Sequence, residues 1–389
     1  MTISFKEMLH SLRQPVPLLI DTDNAMGAPV ADVDDGVALA AALASPEVEV
    51  VAVCGCAGNC SAAFSARNSR KLLHVCGRDE IPVGVGQEYP LCREHRNRDG
   101  HHAFLARHAQ GAGRELWPEF LDSPELAALA DRVHDVSGTT GDSPIAMPDA
   151  LVDASPTVFP DAAETIIRAA RKAAGELVVL SLGSLTNLAA ALRKAPEVAR
   201  HIRMVIHMGG QFLPWKPGQM RAEFATPDIP ESVWDKALRF NTWYDPEASA
   251  QVFSSGIPVV VVPVNVTSHG FLRPGHVELL GKVGSKRLDW LVQQVRPWVT
   301  WSEQVRGLPG AHMHDPMALA LLCRPDLFQL QPMQVDVPAL LREAPVFLGP
   351  VPHEETLDRE ATTCCPIHSA VQVSASGFEQ WLVQRLAAF

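Results

Sequence analysis

Residues 17–40, PLLIDTDNAMGAPVADVDDGVALA, place five carboxylates just where an apolar strand stops. Pro17 to Ile20 reads as a short buried strand, and Asp21, Asp23, Asp32, Asp34 and Asp35 follow before a helix that begins near Gly36. Carboxylates this crowded raise one another's pKa unless a cation or a shared proton relieves them. A hard divalent ion held by oxygen, Ca²⁺ or Mg²⁺, is the simplest relief. Any one of Asp32, Asp34 and Asp35 could instead be an acid at the positive end of the next helix. That alternative is too weak to account for all five.

Beyond this stretch, strand-like runs recur at Val48 to Val53, Ile81 to Val85, Leu177 to Leu182, Met204 to Met208 and Pro258 to Val264. Most are continuous and β-branched, as in a parallel sheet buried on both faces. Val37 to Leu43, Ala62 to Cys76, Ala162 to Ala174 and Leu188 to Ile202 carry helical periodicity. The pattern predicts an α/β fold with an open, mostly parallel sheet, a Rossmann-like core with helices on both faces, whose ligands bind beyond the carboxyl ends of the strands. At those ends stand Asp21 and Asp23, Gly55 to Asn59, Gly183 to Asn187, Gly209-Gly210 and Asn265 to Thr267. Such short polar or glycine turns on one rim make a pocket there the first hypothesis. Thr186 and Asn187 have a plainer reading as helix caps.

The chain has 389 residues, 47% hydrophobic and 20% charged, which is ordinary globular composition. Its net charge of −11 argues against a nucleic-acid or anionic-membrane surface and leaves small molecules as the expected partners. No apolar run approaches a ~20-residue membrane span, and MTISFKEMLHSLRQ lacks a secretory core, so a cytoplasmic location is expected. Eight cysteines, at 54, 56, 60, 76, 92, 323, 364 and 365, are too sparse for a disulfide scaffold and read as reduced thiols. Two stretches break the α/β pattern: the histidine-rich 92–160 and the proline- and tryptophan-rich 211–238. Both are expected to be lid insertions on a single domain spanning 1–389.

The order of motifs resembles the inosine-uridine-preferring nucleoside hydrolase family along most of the chain. Asp21-Thr22-Asp23 and Asp34-Asp35-Gly36 are similar to its DTDxGxDD signature, interrupted here by NAMGAPVADV. LVVLSLGSLTNLAAALRKAPEVARHIRMVIHMGGQF, RFNTWYDPEASAQVF, Pro263 to Thr267 and His314 to Ala318 follow in the family's order. The resemblance implies Ca²⁺-dependent hydrolysis of an N-glycosidic bond in a riboside, in a homodimer or homotetramer. It implies Asp23, Asp35, Asp315 and the Leu182 carbonyl as metal ligands. Asp34, Asn59 and Asn241 would orient the ribose, Asp23 would also serve as base, and His314 would assist the leaving group.

The chemistry is consistent with those residue types. Breaking an N-glycosidic bond builds positive charge on the sugar, which acidic groups stabilise while one of them takes a proton from water. The departures concern the substrate. Arg239 stands where the family has an acid at the sugar's 5′ end, and a guanidinium there suits a phosphate or carboxylate, with Lys216 and Arg221 nearby in sequence. Arg239 could instead pair with Glu223, Asp228 or Asp235. Asp32 competes with Asp34 for the ribose-binding position, Asn265 stands where an acid is commoner, and Asp99 to His102 could supply the family's histidine loop. Two other readings stay open: a phosphatase of the haloacid-dehalogenase type using Asp21 as nucleophile, and a riboside binder without turnover.

Overall fold

The computed structural model describes residues 5–28, 31–87, 89–91, 159–210, 240–304, 306–337, 349–350 and 364–389. Every predicted run forms a strand: β1 (Val16–Thr22), β2 (Val48–Gly55), β3 (Val83–Val85), β4 (Leu177–Ser181), β5 (Ile202–Met208) and β6 (Val259–Val262). A two-stranded ribbon, β7 (Phe271–Leu272) with β8 (Ala311–His312), stands apart, and β9 (Phe328–Asp336), β10 (Gly349–Pro350) and β11 (Cys364–Val373) complete the main sheet. Among the described residues its order is β10-β9-β11-β6-β5-β4-β1-β2-β3. All neighbours from β3 to β11 run parallel, and β9 and β10 are antiparallel additions at one edge.

Side chains alternate across a strand, and here both faces are apolar. Leu18, Ile20, Leu180 and Ile206 pack on one face against the helices Asp34–Leu43, His314–Cys323 and Ala375–Ala387. Leu19, Val179, Val205 and Val261 pack on the other against Ala162–Ala173, Thr186–Lys194 and Pro246–Phe253. The periodic segment Leu188 to Ile202 is not one helix. It stops at Lys194, and Pro196–His201 continues as a 3₁₀ turn, because the residue before a proline is pushed out of the helical region: Ala195 has φ −144° and ψ 79°. Val264 likewise leaves β6 to open the helical turn Val264–Thr267.

Strand order reverses between β1 and β4, since β2 lies on one side of β1 and β4 on the other. In an open α/β sheet that switch point leaves a crevice at the carboxyl ends. The acidic stretch begins there. Both lid expectations, 92–158 of the first stretch and all of 211–238, lie outside the described residues, as do Asp99 to His102 and Arg239. No helix among the described residues is long and apolar enough to cross a membrane.

Candidate active site

β1 ends at Thr22, so Asp23 is the first residue beyond the strand, and it is 1% exposed. Its Oδ2 accepts the Asn59 backbone N–H at 2.7 Å. A Cβ at Gly58 would lie 2.0 Å from that same oxygen, and one at Gly183 would lie 2.9 Å from Oδ1. Glycine is thus required in both turns so that the backbone can close around this carboxylate.

The helix after the acidic run starts at Asp34, two residues earlier than its apolar pattern predicts, which puts Asp34 and Asp35 in its first turn. Asp34 Oδ2 accepts the Asp315 N–H at 3.1 Å, and the Thr22 hydroxyl donates to Asp35 Oδ1. One oxygen each from Asp34, Asp35 and Asp315 lies within 4.8 Å of the others, all buried. Asp32 instead turns toward the helix start, where its Oδ1 accepts from Val33 N at 2.7 Å and Asp34 N at 3.4 Å, and it feels the charge of Arg306. Asp34, not Asp32, is the carboxylate that contacts Asp315.

Burial dominates the electrostatics. It raises Asp35 to about 6, and it pushes Asp23, Asp34 and Asp315 well above the carboxylate range, with neighbouring carboxylates adding to each. Among the described residues no hydrogen-bond donor reaches the buried Asp21 Oδ2, Asp23 Oδ1 or Asp35 Oδ2. Orphaned carboxylate oxygens are costly in an apolar surround, and the close oxygens of Asp34, Asp35 and Asp315 fit a hard divalent cation.

The other predicted residues converge on the same rim. The Leu182 carbonyl accepts from Asn241 Nδ2 at 2.5 Å, and the same amide reaches the Met208 carbonyl at 3.1 Å. His314 Nδ1 pairs with the Thr267 hydroxyl at 2.8 Å, and its ring stacks on His312 with centroids 5.0 Å apart. Burial, then Arg306, lowers the His314 pKa to about 3, so its imidazole is neutral.

Asn187 and Thr186 are more than caps. Asn187 Nδ2 donates to Asp21 Oδ1 at 2.8 Å and to the Gly55 carbonyl at 3.2 Å, and Thr186 donates to Asp245 Oδ2 at 2.9 Å. Asp21 is therefore enclosed and engaged, 0% exposed, with burial raising it to about 7, which ill suits a phosphoryl nucleophile. Cys54, Cys56 and Cys60 are buried beside it, the Cys60 thiol donating to the Asp23 carbonyl at 3.3 Å. Arg306 escaped the sequence reading. Its guanidinium lies 5.6 Å from the Trp301 ring centroid and its charge acts on Asp32 and His314, and a lone arginine in a polar turn gives no local signal of such a role.

Among solved structures the chain is similar to a plant nucleoside hydrolase (TM-score 0.68, 23% identity, 96% of this chain and 100% of that one). It is also similar to a purine-preferring ribonucleoside hydrolase from Gardnerella vaginalis (TM-score 0.63, 24% identity, 95% and 98%). In sequence it is 28% identical over 317 residues to the pyrimidine-specific ribonucleoside hydrolase RihA of Klebsiella pneumoniae, covering 80% of this chain and 81% of that protein. The family description "Inosine-uridine preferring nucleoside hydrolase" matches residues 18–364, from the start of the acidic motif through the His314-Asp315 block, and the chain belongs to that family.

Proposed function

We propose that the chain hydrolyses the N-glycosidic bond of a ribonucleoside or related riboside at this cluster, with Ca²⁺ held by Asp23, Asp35, Asp315 and the Leu182 carbonyl. The observation that carries the metal assignment is that no donor among the described residues reaches two buried oxygens of the cluster, Asp23 Oδ1 and Asp35 Oδ2. When bound, the ion would offset the cluster's charge and supply Lewis acidity toward oxygen ligands.

The chain's own residues account for the rest. Asp23, held in place by the Asn59 N–H on Oδ2, takes the proton of the attacking water. Asp34, Asn59 and Asn241 orient the ribose hydroxyls. The surrounding carboxylates stabilise positive charge as it develops on the sugar. His314 need not be cationic to help the base depart: in the tautomer whose Nδ1 accepts from Thr267 O–H, Nε2–H is the remaining donor and can bond the leaving base. Arg239 would select a riboside whose 5′ end carries an acidic group.

The test is release of free ribose, or of 5′-modified ribose, from a panel of purine and pyrimidine ribosides. Exhaustive chelation should abolish it and Ca²⁺ should restore it. Turnover that persists in metal-free protein would overturn the site assignment.

A further inference from the structure

His207 lies in β5 among apolar neighbours, 0% exposed, and the reaction outlined above does not use it. Its Nδ1 faces the Ser181 hydroxyl at the end of β4, and its Nε2 faces the Thr242 hydroxyl on the Phe240–Tyr244 helix, both at 3.2 Å. Each partner neighbours a residue of the proposed site. Ser181 precedes Leu182, and its hydroxyl also donates to the Gly183 carbonyl at 3.3 Å. Thr242 follows Asn241, whose amide rests on the Leu182 carbonyl.

A five-residue helix cannot hold its own orientation. The Ser249 hydroxyl fixes one point by donating to the Thr242 carbonyl at 2.8 Å. Phe240, Trp243 and Tyr244 pack in a buried cluster, and the imidazole adds a polar tie toward the sheet. Burial lowers the His207 pKa to about 3, so the ring is neutral and can donate from one nitrogen and accept at the other. The backbone leaves room for the pair: a Cβ at Gly209 would lie 2.6 Å from His207 Nε2 and 3.0 Å from Thr242 Oγ1.

We propose that His207 is a positioning residue that ties the Phe240–Tyr244 helix to the Ser181–Gly183 turn and so holds Asn241 on the Leu182 carbonyl. This deepens the proposed function and rests on it for the role of Asn241 toward ribose.

Three variants test it. His207→Leu removes both bonds and keeps apolar bulk. His207→Gln places an amide near the Nε2 position and keeps a partner for Thr242, whereas His207→Asn reaches only the Nδ1 position. Loss of one positioned hydrogen bond to the sugar predicts that His207→Leu raises KM for ribosides about 3- to 10-fold. His207→Gln should recover most of that and His207→Asn should not. In an Asn241→Ala background, His207→Leu should add less than about 2-fold, since both changes remove the same contact. KM effects that multiply, or a Gln variant no better than Leu, would overturn the proposal. Crystal structures of wild type and His207→Leu decide it without turnover: displacement of Asn241 from Leu182 supports it, and an unchanged contact refutes it. Absence of turnover by wild type on every riboside would count against the reaction instead.

Discussion

The stability of the metal-free protein should fall as pH rises, and Ca²⁺ should reverse the fall. Asp35 carries the calculation. Its carboxyl rises from an ordinary 3.8 to about 6 in the fold, with burial the main cause. A raised carboxylate pKa means that the fold disfavours the ionised form. The cost is absent below about pH 3.8, grows between the two values and is complete above about pH 6, where it amounts to ~3 kcal/mol. For 389 residues, an unfolding entropy of ~2 cal/mol/K per residue makes that about 4 °C in Tm. Asp23, Asp34 and Asp315 shift in the same direction and extend the loss to higher pH.

Calcium at about 100 times its dissociation constant would return ~2.7 kcal/mol, or about 3 °C. The ion binds the ionised carboxylates, so its effect should be large at pH 7.5 and small near pH 4.5. The assay is thermal unfolding followed by circular dichroism in chelator and in Ca²⁺, for wild type and Asp35→Asn. The variant isolates the site from other titrating groups: it should flatten the chelator profile by about 4 °C and lose most of the Ca²⁺ response. An equal pH slope in the two proteins, or an equal Ca²⁺ shift, would refute the reasoning.

His314→Ala should slow nucleosides whose base needs help in leaving by ~10²-fold or more, and p-nitrophenyl riboside far less; equal losses would assign His314 to packing. Asp32→Asn should leave Ca²⁺ affinity by titration calorimetry within a few-fold of wild type, because Asp32 is already engaged by the helix start and Arg306; a loss beyond tenfold would make Asp32 a ligand. If Arg239 selects a 5′ anion, wild type should prefer inosine 5′-monophosphate to inosine and Arg239→Glu should reverse this. A preference for the plain nucleoside that the substitution leaves unchanged would reject the idea.

The sheet was legible because strands buried on both faces are written as unbroken apolar runs, and each was found where its run stood. β9, β10 and β11 were not: Phe328 to Asp336 interleaves glutamines with its apolar residues at the antiparallel edge, Gly349–Pro350 is two residues long, and Cys364 to Val373 breaks its apolar run with Pro366, His368, Ser369 and Gln372. The acidic cluster was legible because charge of one sign beside a strand end has few structural explanations. The network behind it was not. His207 reads as one polar residue in an apolar strand, and its partners stand 26 and 35 residues away. Asn187 reads as a cap until the fold brings Asp21 against it across 166 residues.

The donors that hold the acidic cluster share a chemical character that bears on mechanism. The groups around the central carboxylates, Asn59 N–H, Thr22 O–H and Asp315 N–H, are neutral donors. Neutral donors orient a carboxylate and lessen its desolvation cost without cancelling its charge. A lysine or arginine in their place would stabilise the fold more and remove the negative potential that a cation and a developing positive sugar both require. The charge of Arg306 acts on Asp32 and His314: it disfavours protonation of the imidazole and, on the proposed reading, favours departure of an electron-rich base. On the proposed reading the division is by side of the scissile bond: carboxylates held only by neutral donors toward the sugar, and the charge of Arg306 acting on the histidine proposed to face the leaving group.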